Sequence, residues 1–371
     1  MNQFAVKTWW GKLPIALVVV VGLVVGASGL LATPVAAAPA HAQTATSVSV
    51  HEISKTILPQ TSIDGPAFSS LSDYVPNPST YPPNSYPATA IAWAGTDAQH
   101  ALYLTYASDG LTYSNPVVRL PESSTMRPAV LLYNNNHIGT LPSTLIVLAW
   151  TGTDQNHSLN VMFDVLGVRQ KLILQDNSLS SPALAYFNGQ VWLAWTGTDP
   201  GHSLNVMAMG PDGVTPGAKT ILRGDGFGSR SGPSLREDRP DNLLLLTWTV
   251  LSSPAYIDLA QSSDGVTWAT SFSPPPPQTS NTGPDVMSIP TGQPTDYWTW
   301  TGTDDAHSLN IAYTSTLASW PAPIITLDEQ AMGSPELGYS SKLKNSGVVI
   351  LLAWAGTDPA HHLNVAAFQI G

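Results

Sequence analysis

The chain contains no cysteine. That excludes disulfides, thiol nucleophiles and cysteine metal centres together. Charge is also scarce: 11% of the residues are Asp, Glu, Lys or Arg, with 14 basic residues against 25 acidic ones. The resulting net charge of −11 speaks against nucleic acid and anionic membrane surfaces as partners. So few charges, with 29 Gly and 32 Pro, leave no material for long solvated helices and suit many short strands and turns. A Gly-x-Ser-x-Gly nucleophile elbow is absent too.

Long apolar runs are missing except at the N-terminus. Leu13 to Ala32 is apolar throughout, Lys7 and Lys12 precede it, and Ala40-His41-Ala42 fits a small-x-small cleavage site. Residues 1–42 are therefore expected to be a signal peptide or an uncleaved signal anchor, since about 20 apolar residues can span a bilayer. Either way residues 43–371 lie outside the cytoplasm, secreted or membrane-anchored. Any membrane contact is through this segment alone. Without Lys7 and Lys12 the remainder has 12 basic and 25 acidic residues.

What the chain has in abundance is one phrase, repeated. Ile91 begins IAWAGTDAQHALYL, Leu148 LAWTGTDQNHSLNV, Leu193 LAWTGTDPGHSLNV, Trp298 WTWTGTDDAHSLNI and Leu352 LAWAGTDPAHHLNV. Leu246 begins LTWTVLSSPAYIDL, which keeps the frame but not the loop. The shared tryptophans are Trp93, Trp150, Trp195, Trp248, Trp300 and Trp354, separated by 57, 45, 53, 52 and 54 residues. Units of about 50 residues match a four-stranded propeller blade. The expected fold is all-β, a six-bladed β-propeller of four-stranded blades over residues 43–371, acting as a monomer.

The third unit shows the strands. Pro182–Phe187 reads as the first, closed by an Asn188-Gly189 turn. Gln190–Thr196 alternates as the second, His202–Met209 is the third, and Ala218–Leu222 follows a Pro211-Asp212-Gly213 turn as the fourth. First strands open with a small residue and Pro, as at Gly65-Pro66, Ser181-Pro182, Gly232-Pro233, Gly283-Pro284 and Ser334-Pro335; only Arg127-Pro128 departs. The last unit lacks a fourth strand, and Lys55-Thr56-Ile57-Leu58 repeats Lys219-Thr220-Ile221-Leu222. The N-terminal strand is thus expected to complete the last blade and cover an open edge. Two irregular stretches, Asp73 to Tyr86 and Pro274 to Pro277, are functional loops or tolerated insertions.

The repeated Gly-Thr-Asp-x-x-His falls between second and third strands. Its candidate ligand-binding residues are Asp97, His100, Asp154, His157, Asp199, His202, Asp304, His307, Asp358 and His361. The fourth unit puts Val250, Leu251, Ser252 and Ala255 there instead. One reading is bracing: Trp, Thr, Asp and His bond one another and hold the turn. Another is a ring of shallow sugar sites, with an Asp acceptor, a His donor and an aromatic platform at each. No metal is expected, because one Asp and one His per loop fall short of a complete ligand set. No cofactor is expected either.

Ser262-Ser263-Asp264-Gly265-Val266-Thr267-Trp268 resembles the Asp-box turn of sialidase-type propellers, one residue short between Asp and Thr. Ser108 to Tyr113 and Asp212 to Thr215 are weaker copies. The resemblance implies a sialidase-like propeller across the mature chain. In that family an arginine triad grips the substrate carboxylate, a Tyr with a Glu partner is the nucleophile, and an Asp is the acid/base. Only Arg127 stands at a comparable strand start here, and Arg236 to Arg239 reads as an exposed turn, so the activity does not follow from the fold. Arg127 and Glu336, the latter just after Ser334-Pro335, are the catalytic candidates should the protein be a glycoside hydrolase with its site at the axial mouth. The leading expectation is recognition of a glycan or cell-surface ligand through the Gly-Thr-Asp-x-x-His face. A protein-binding scaffold, with the motif purely structural, is the third reading.

Overall fold

The structure, a computed structural model, describes residues 49–370 apart from 72–86, 114–115, 136–142, 166–167, 211–214, 225, 271–277, 290–295, 316–322 and 340–347. The expected signal segment at 1–42, the two irregular stretches and the turn at Pro211 fall outside the described residues. Among the described residues no helix is long and apolar enough to cross a membrane.

Strand β1 (Val50–Thr61) comes first. Four sheets of four antiparallel strands follow in chain order. The first holds β2 (Ala67–Ser70), β3 (Thr89–Ala94), β4 (Ala101–Ala107) and β5 (Val118–Ser123). The second holds β6 (Ala129–Asn135), β7 (Ser143–Thr151), β8 (Ser158–Val165) and β9 (Val168–Asn177). The third holds β10 (Ala183–Phe187), β11 (Gln190–Thr196), β12 (Leu204–Met209) and β13 (Pro216–Ile221). The fourth holds β14 (Ser234–Asp238), β15 (Leu243–Thr249), β16 (Ile257–Ser262) and β17 (Ala269–Thr270). The last sheet has seven strands in the order β1-β23-β22-β21-β20-β19-β18, with β18 (Asp285–Ser288), β19 (Asp296–Thr301), β20 (Ser308–Thr314), β21 (Ile324–Tyr339), β22 (Val348–Gly356) and β23 (His362–Ile370).

This differs from six separate four-stranded sheets, and β21 is the reason. Its first half, Ile324–Gln330, pairs with β20, and Ala331–Tyr339 pairs with β22. At the same place elsewhere a serine makes only an isolated bridge to the next unit, Ser62 to Gly95 and Ser229 to Val250. Ala331 makes the equivalent pair with Gly356, and the ladder runs on without a break. The N-terminal strand does pair with the last one: β1 runs antiparallel to β23, with Lys55 opposite Ala366. In the third unit the observed strands fall within two residues of the expected ones, and Asn188 and Gly189 take positive φ of 49° and 78°, as a tight hairpin turn requires.

Burial grades across each sheet. Second strands such as β3 and β19 are buried at every position, whereas β13 and β17 are mostly exposed. The core lies in layers between successive sheets: one joins Ala129, Leu131 and Val147 to Leu184, Leu193 and Trp195, another joins Phe68, Ile91 and Trp93 to Leu351, Ala353 and Val365. Sandwiched on both faces, the second strands read as continuous apolar runs. The first strands contact one another in the order β2, β6, β10, β14, β18, β21, and β21 returns to β2. An all-β set of antiparallel sheets arranged this way is consistent with a β-propeller.

The residue before each Pro lies where neighbouring first strands converge. A Cβ on Gly65 would overlap the Ser334 carbonyl, one on Gly232 would sit 2.5 Å from the Ser181 carbonyl oxygen, and one on Gly283 2.5 Å from that of Gly232. Small residues stand there because backbones touch.

Candidate functional site

The Gly-Thr-Asp-x-x-His segments occupy the turns after β3, β7, β11, β19 and β22. All five motif histidines have left-handed backbones: φ is 48° at His100, 55° at His157, 46° at His202, 54° at His307 and 56° at His361. His is among the few non-glycine residues that tolerate this region. In each turn the His amide donates to the motif Asp carbonyl, at 2.8 to 3.0 Å.

The carboxylate finishes the turn. Asp199 accepts from the Gly201 amide (3.2 Å), the Ser203 amide (3.0 Å) and the Ser203 hydroxyl (2.8 Å). Asp154 and Asp304 accept in the same way from Ser158 and Ser308. At Asp358 the hydroxyl is replaced by His362 Nδ1, 2.7 Å away, and at Asp97 by the Tyr103 hydroxyl, 3.2 Å away. Burial works to raise the Asp199 carboxyl, but the Ser203 and Gly201 donors outweigh it and hold it below the usual carboxylate range. Asp154, Asp304, Asp97 and Asp358 are lowered likewise. Asn160, Asn205, Asn310 and Asn364 close the motif, each donating to the carbonyl two residues before it.

The two sequence readings made opposite demands on these side chains, and the outcome is mixed. Asp199 is exposed and His202 half-buried, which recognition needs. The Asp is bonded to its own loop, which bracing needs. The motif tryptophans are fully buried at 0 to 1% exposure, so they form no open platform. His100 and His361 rings approach the Gly95 and Gly356 carbonyls at 3.3 and 3.2 Å. For His157, His202 and His307 the backbone carries the turn's hydrogen bond.

A second layer of bracing was not foreseen. Ser62, Ser124, Ser178 and Ser229 donate their amides to the carbonyls of His361, His100, His157 and His202. Ser280 donates to Ala255, which stands where the fourth unit lacks its His. Each hydroxyl reaches on to the second strand of the following unit: Ser124 to the Thr151 carbonyl (2.8 Å), Ser280 to Thr301 (2.8 Å), Ser62 to Ala94 (3.1 Å), Ser178 to Thr196 (3.3 Å) and Ser229 to Thr249 (3.4 Å). All five serines are at 0% exposure. Thr151, Thr196 and Thr249 pass the contact onward, donating their hydroxyls to the carbonyls of Ser180, Ser231 and Thr282 in the next connection. The signal was in the sequence as Ser-x-x-x-Pro: SIDGP, STMRP, SLSSP, SRSGP and SNTGP.

The catalytic candidates do meet, near the axis. Arg127 ion-pairs with Glu336, and Glu336 also accepts the Phe68 amide (2.8 Å) and Arg236 Nη2 (3.4 Å). Arg236 in turn grips Asp285 at 2.8 Å, and Ser234 donates to that carboxylate. Burial raises the Glu336 carboxyl, against the pull of Arg127 and Arg236. Arg236 is thus not on an exposed turn: it lies on β14 at 8% exposure, held by an acid 49 residues away. Four charged groups close on one another where a substrate-binding triad would need free arginines.

The turn at Ser262 is held by its Asp and Ser side chains. Asp264 accepts the amides of Val266 (2.8 Å) and Thr267 (2.7 Å), Ser262 caps Gly265 (2.8 Å), and Trp268 Nε1 donates to the Gly265 carbonyl (3.0 Å). Asp109 makes the same pair of bonds to Leu111 and Thr112. Among the described residues no group of three or more His, Asp or Glu could hold a metal ion.

One cleft of about 210 Å³ opens beside a motif loop, lined by Gln60, Thr61, Trp93, Thr96, Asp97, Tyr103 and Val117 among others. It lies between β1 and the first sheet.

No protein-family model matches the chain, and no curated protein matches it in sequence. Solved structures do share the fold. The parainfluenza virus 5 hemagglutinin-neuraminidase with ligand DANA aligns over 87% of this chain and 93% of its own, at 8% identity and TM-score 0.52. A neuraminidase-like protein of A/little yellow-shouldered bat/Guatemala aligns over 87% and 100%, at 9% identity and TM-score 0.52. The SapL1 lectin in complex with alpha methyl fucoside aligns over 84% and 96%, at 10% identity and TM-score 0.51. The fold therefore resembles sialidase-like propellers, as the sequence motifs implied. Identity this low carries the fold alone.

Proposed function

We propose that this protein is an exported, six-bladed propeller that recognises glycans from the face bearing the Gly-Thr-Asp-x-x-His loops. Counting β18–β20 with the first half of β21 as one blade, and the second half of β21 with β22, β23 and β1 as the next, gives six. The core layer between those halves, from Met287 and Tyr297 to Leu352 and Phe368, supports the count. Residues 1–42 act as signal peptide or anchor and residues 43–371 as the propeller.

One observation carries the glycan reading: ionised Asp acceptors, exposed at Asp154, Asp199 and Asp304 and half-buried at Asp97 and Asp358, recur in equivalent turns, and Asp97 stands in a cleft with hydroxyl, amide and aromatic groups. Carbohydrate hydroxyls and C–H faces need that mixture. Structural neighbours that include a lectin and neuraminidases point the same way. Bracing and recognition coexist, since the turn uses only part of each carboxylate's acceptor capacity. Arg127 and Glu336, bonded to each other, serve ring closure in this reading. The test is adhesion of the full-length chain to a glycoprotein-coated surface before and after periodate oxidation of the sugars. Loss of binding on oxidation supports recognition of glycans; equal binding to both surfaces favours a protein partner and the scaffold reading.

A further inference from the structure

The grooves beside the motif tryptophans are not equivalent. In the second, third and last units a lysine of the outermost strand lies over the tryptophan ring: Lys171 over Trp150 (5.3 Å), Lys219 over Trp195 (5.9 Å) and Lys55 over Trp354 (5.3 Å). Each is tied to an acid from the preceding unit, two residues before the serine latch or its equivalent: Glu122 (2.5 Å), Asp176 and Glu329. In each of these grooves the lysine stands over the ring and the acid holds it there. The other three units lack both members. At the acid position they have Gln60, Phe227 and Gln278, and opposite the lysine-facing residue they have Val117, Thr270 and Ile324. In the fourth unit Phe227 stacks on Trp248, at 5.6 Å between centroids. In the fifth, Ile324 occupies the place of the lysine.

In the first unit the groove is open. Its groove is the cleft of about 210 Å³, and it carries a third change, Tyr103 where four other units have the motif Asn and the fourth unit has Asp258. Tyr103 stacks on Trp93 (centroids 5.5 Å apart, 17° between planes) and is half-buried, so an aromatic face borders the space. Asp97 supplies an ionised acceptor, and Thr61, Thr96 and Gln60 supply hydroxyl and amide groups at the rim. Arg119, opposite Tyr103 in the ladder, lies within electrostatic reach of Asp97. A carboxylate ligand would meet Asp97 with Arg119 alone, and no clamp lysine, to offset the repulsion.

We infer that the groove between β1 and the first sheet is a single binding site for one uncharged pyranose ring, and that lysine–acid clamps keep the second, third and last grooves closed. The inference rests on the glycan reading and narrows it, to one neutral sugar at one groove in place of five equal sites. The Tyr103 face takes the C–H face of the ring, and Asp97, Gln60 and the threonines take its hydroxyls.

The test titrates the full-length chain with methyl glycosides of fucose, galactose and mannose, and with the methyl glycoside of sialic acid, following Tyr103 and Trp93 by saturation-transfer NMR and stoichiometry by calorimetry. A neutral glycoside is expected to bind one per chain, with the sialoside roughly tenfold weaker or silent. Installing the clamp with Val117→Lys and Gln60→Glu should abolish that binding at an unchanged melting temperature. Should the double variant melt early, Thr96→Trp at the exposed rim reads the same blockage. Opening the third groove with Lys219→Val and Asp176→Gln should expose Trp195 to acrylamide quenching. Binding that survives both blocking variants, or that favours the sialoside, overturns the site while leaving glycan recognition standing. No binding by any glycoside overturns the site; continued periodate-sensitive adhesion would then preserve the broader reading, and its absence would end both.

Discussion

Replacing Ser124 by Ala isolates one latch between adjacent units. Its hydroxyl donates to the Thr151 carbonyl at 2.8 Å and accepts the Met126 amide at 3.1 Å. Ser124 is at 0% and Thr151 at 1% exposure, so no bulk water replaces the lost donor. A buried acceptor left unsatisfied costs about 1–3 kcal/mol, and the Met126 amide, nearer the surface, recovers part of its loss from solvent. Removing one oxygen leaves little cavity, so the net expectation is about 2 kcal/mol. For a domain of this size that is a fall of roughly 4 °C in melting temperature, read by scanning calorimetry. Ser123→Ala is the control: its hydroxyl meets Thr153 at 3.0 Å on the exposed surface, and its loss should stay within about 0.5 kcal/mol. Equal melting of the two variants would refute the claim that buried serines tie one unit to the next.

Further outcomes follow from the same geometry. His202→Ala should lower stability by about 1 kcal/mol through backbone strain, while His202→Asn is neutral and His202→Gly neutral or better; equal losses for all three would mean that the ring does the bracing, and urea denaturation distinguishes them. The loop carboxylates, lowered below the ordinary 3.8, contribute stability present above that pH and lost as pH falls through their folded values. The wild type should thus soften in acid, and Asp304→Asn should flatten part of that slope in a pH series of thermal melts. Asp238 behaves oppositely: burial and the charges of Asp296 and Asp241 push it up to about 7. It binds a proton more readily folded than unfolded, so its contribution is full below 3.8 and lost as pH rises towards 7. Asp238→Asn should remove that fall and raise stability at pH 8. Deleting Val48 to Gln60 strips the partner of β23 and should abolish the cooperative melt, where simple fraying would leave it unchanged.

The repeat made most of the architecture legible, because six tryptophans in frame mark second strands and a Pro marks each first strand. Lys-Thr-Ile-Leu near the N-terminus foretold the pairing of β1 with β23, since a fourth strand was missing at the other end. The continuity of β21 was hidden: Ala331 pairs with Gly356 as Ser62 pairs with Gly95 and Ser229 with Val250, and only the unbroken ladder on either side differs. Arg236 looked solvated because its neighbours are charged, while its partner Asp285 is distant in sequence and adjacent only through the packing of β14 against β18. Residue type points to the rings of the loop histidines, for bracing or for a ligand, yet their constant feature is a positive φ, which residue type alone does not reveal. The open first groove was the hardest to see, for it arises from three substitutions on three strands, Gln60, Tyr103 and Val117, whose shared environment exists only after the ring has closed.

The most direct test of recognition is a glycan array probed with the full-length chain and its Thr96→Trp variant at one concentration. The account predicts binding to a defined class of neutral glycans, lost in the variant, with sialylated forms no stronger. A blank array, or a signal that follows sialic acid and ignores Thr96→Trp, would contradict it.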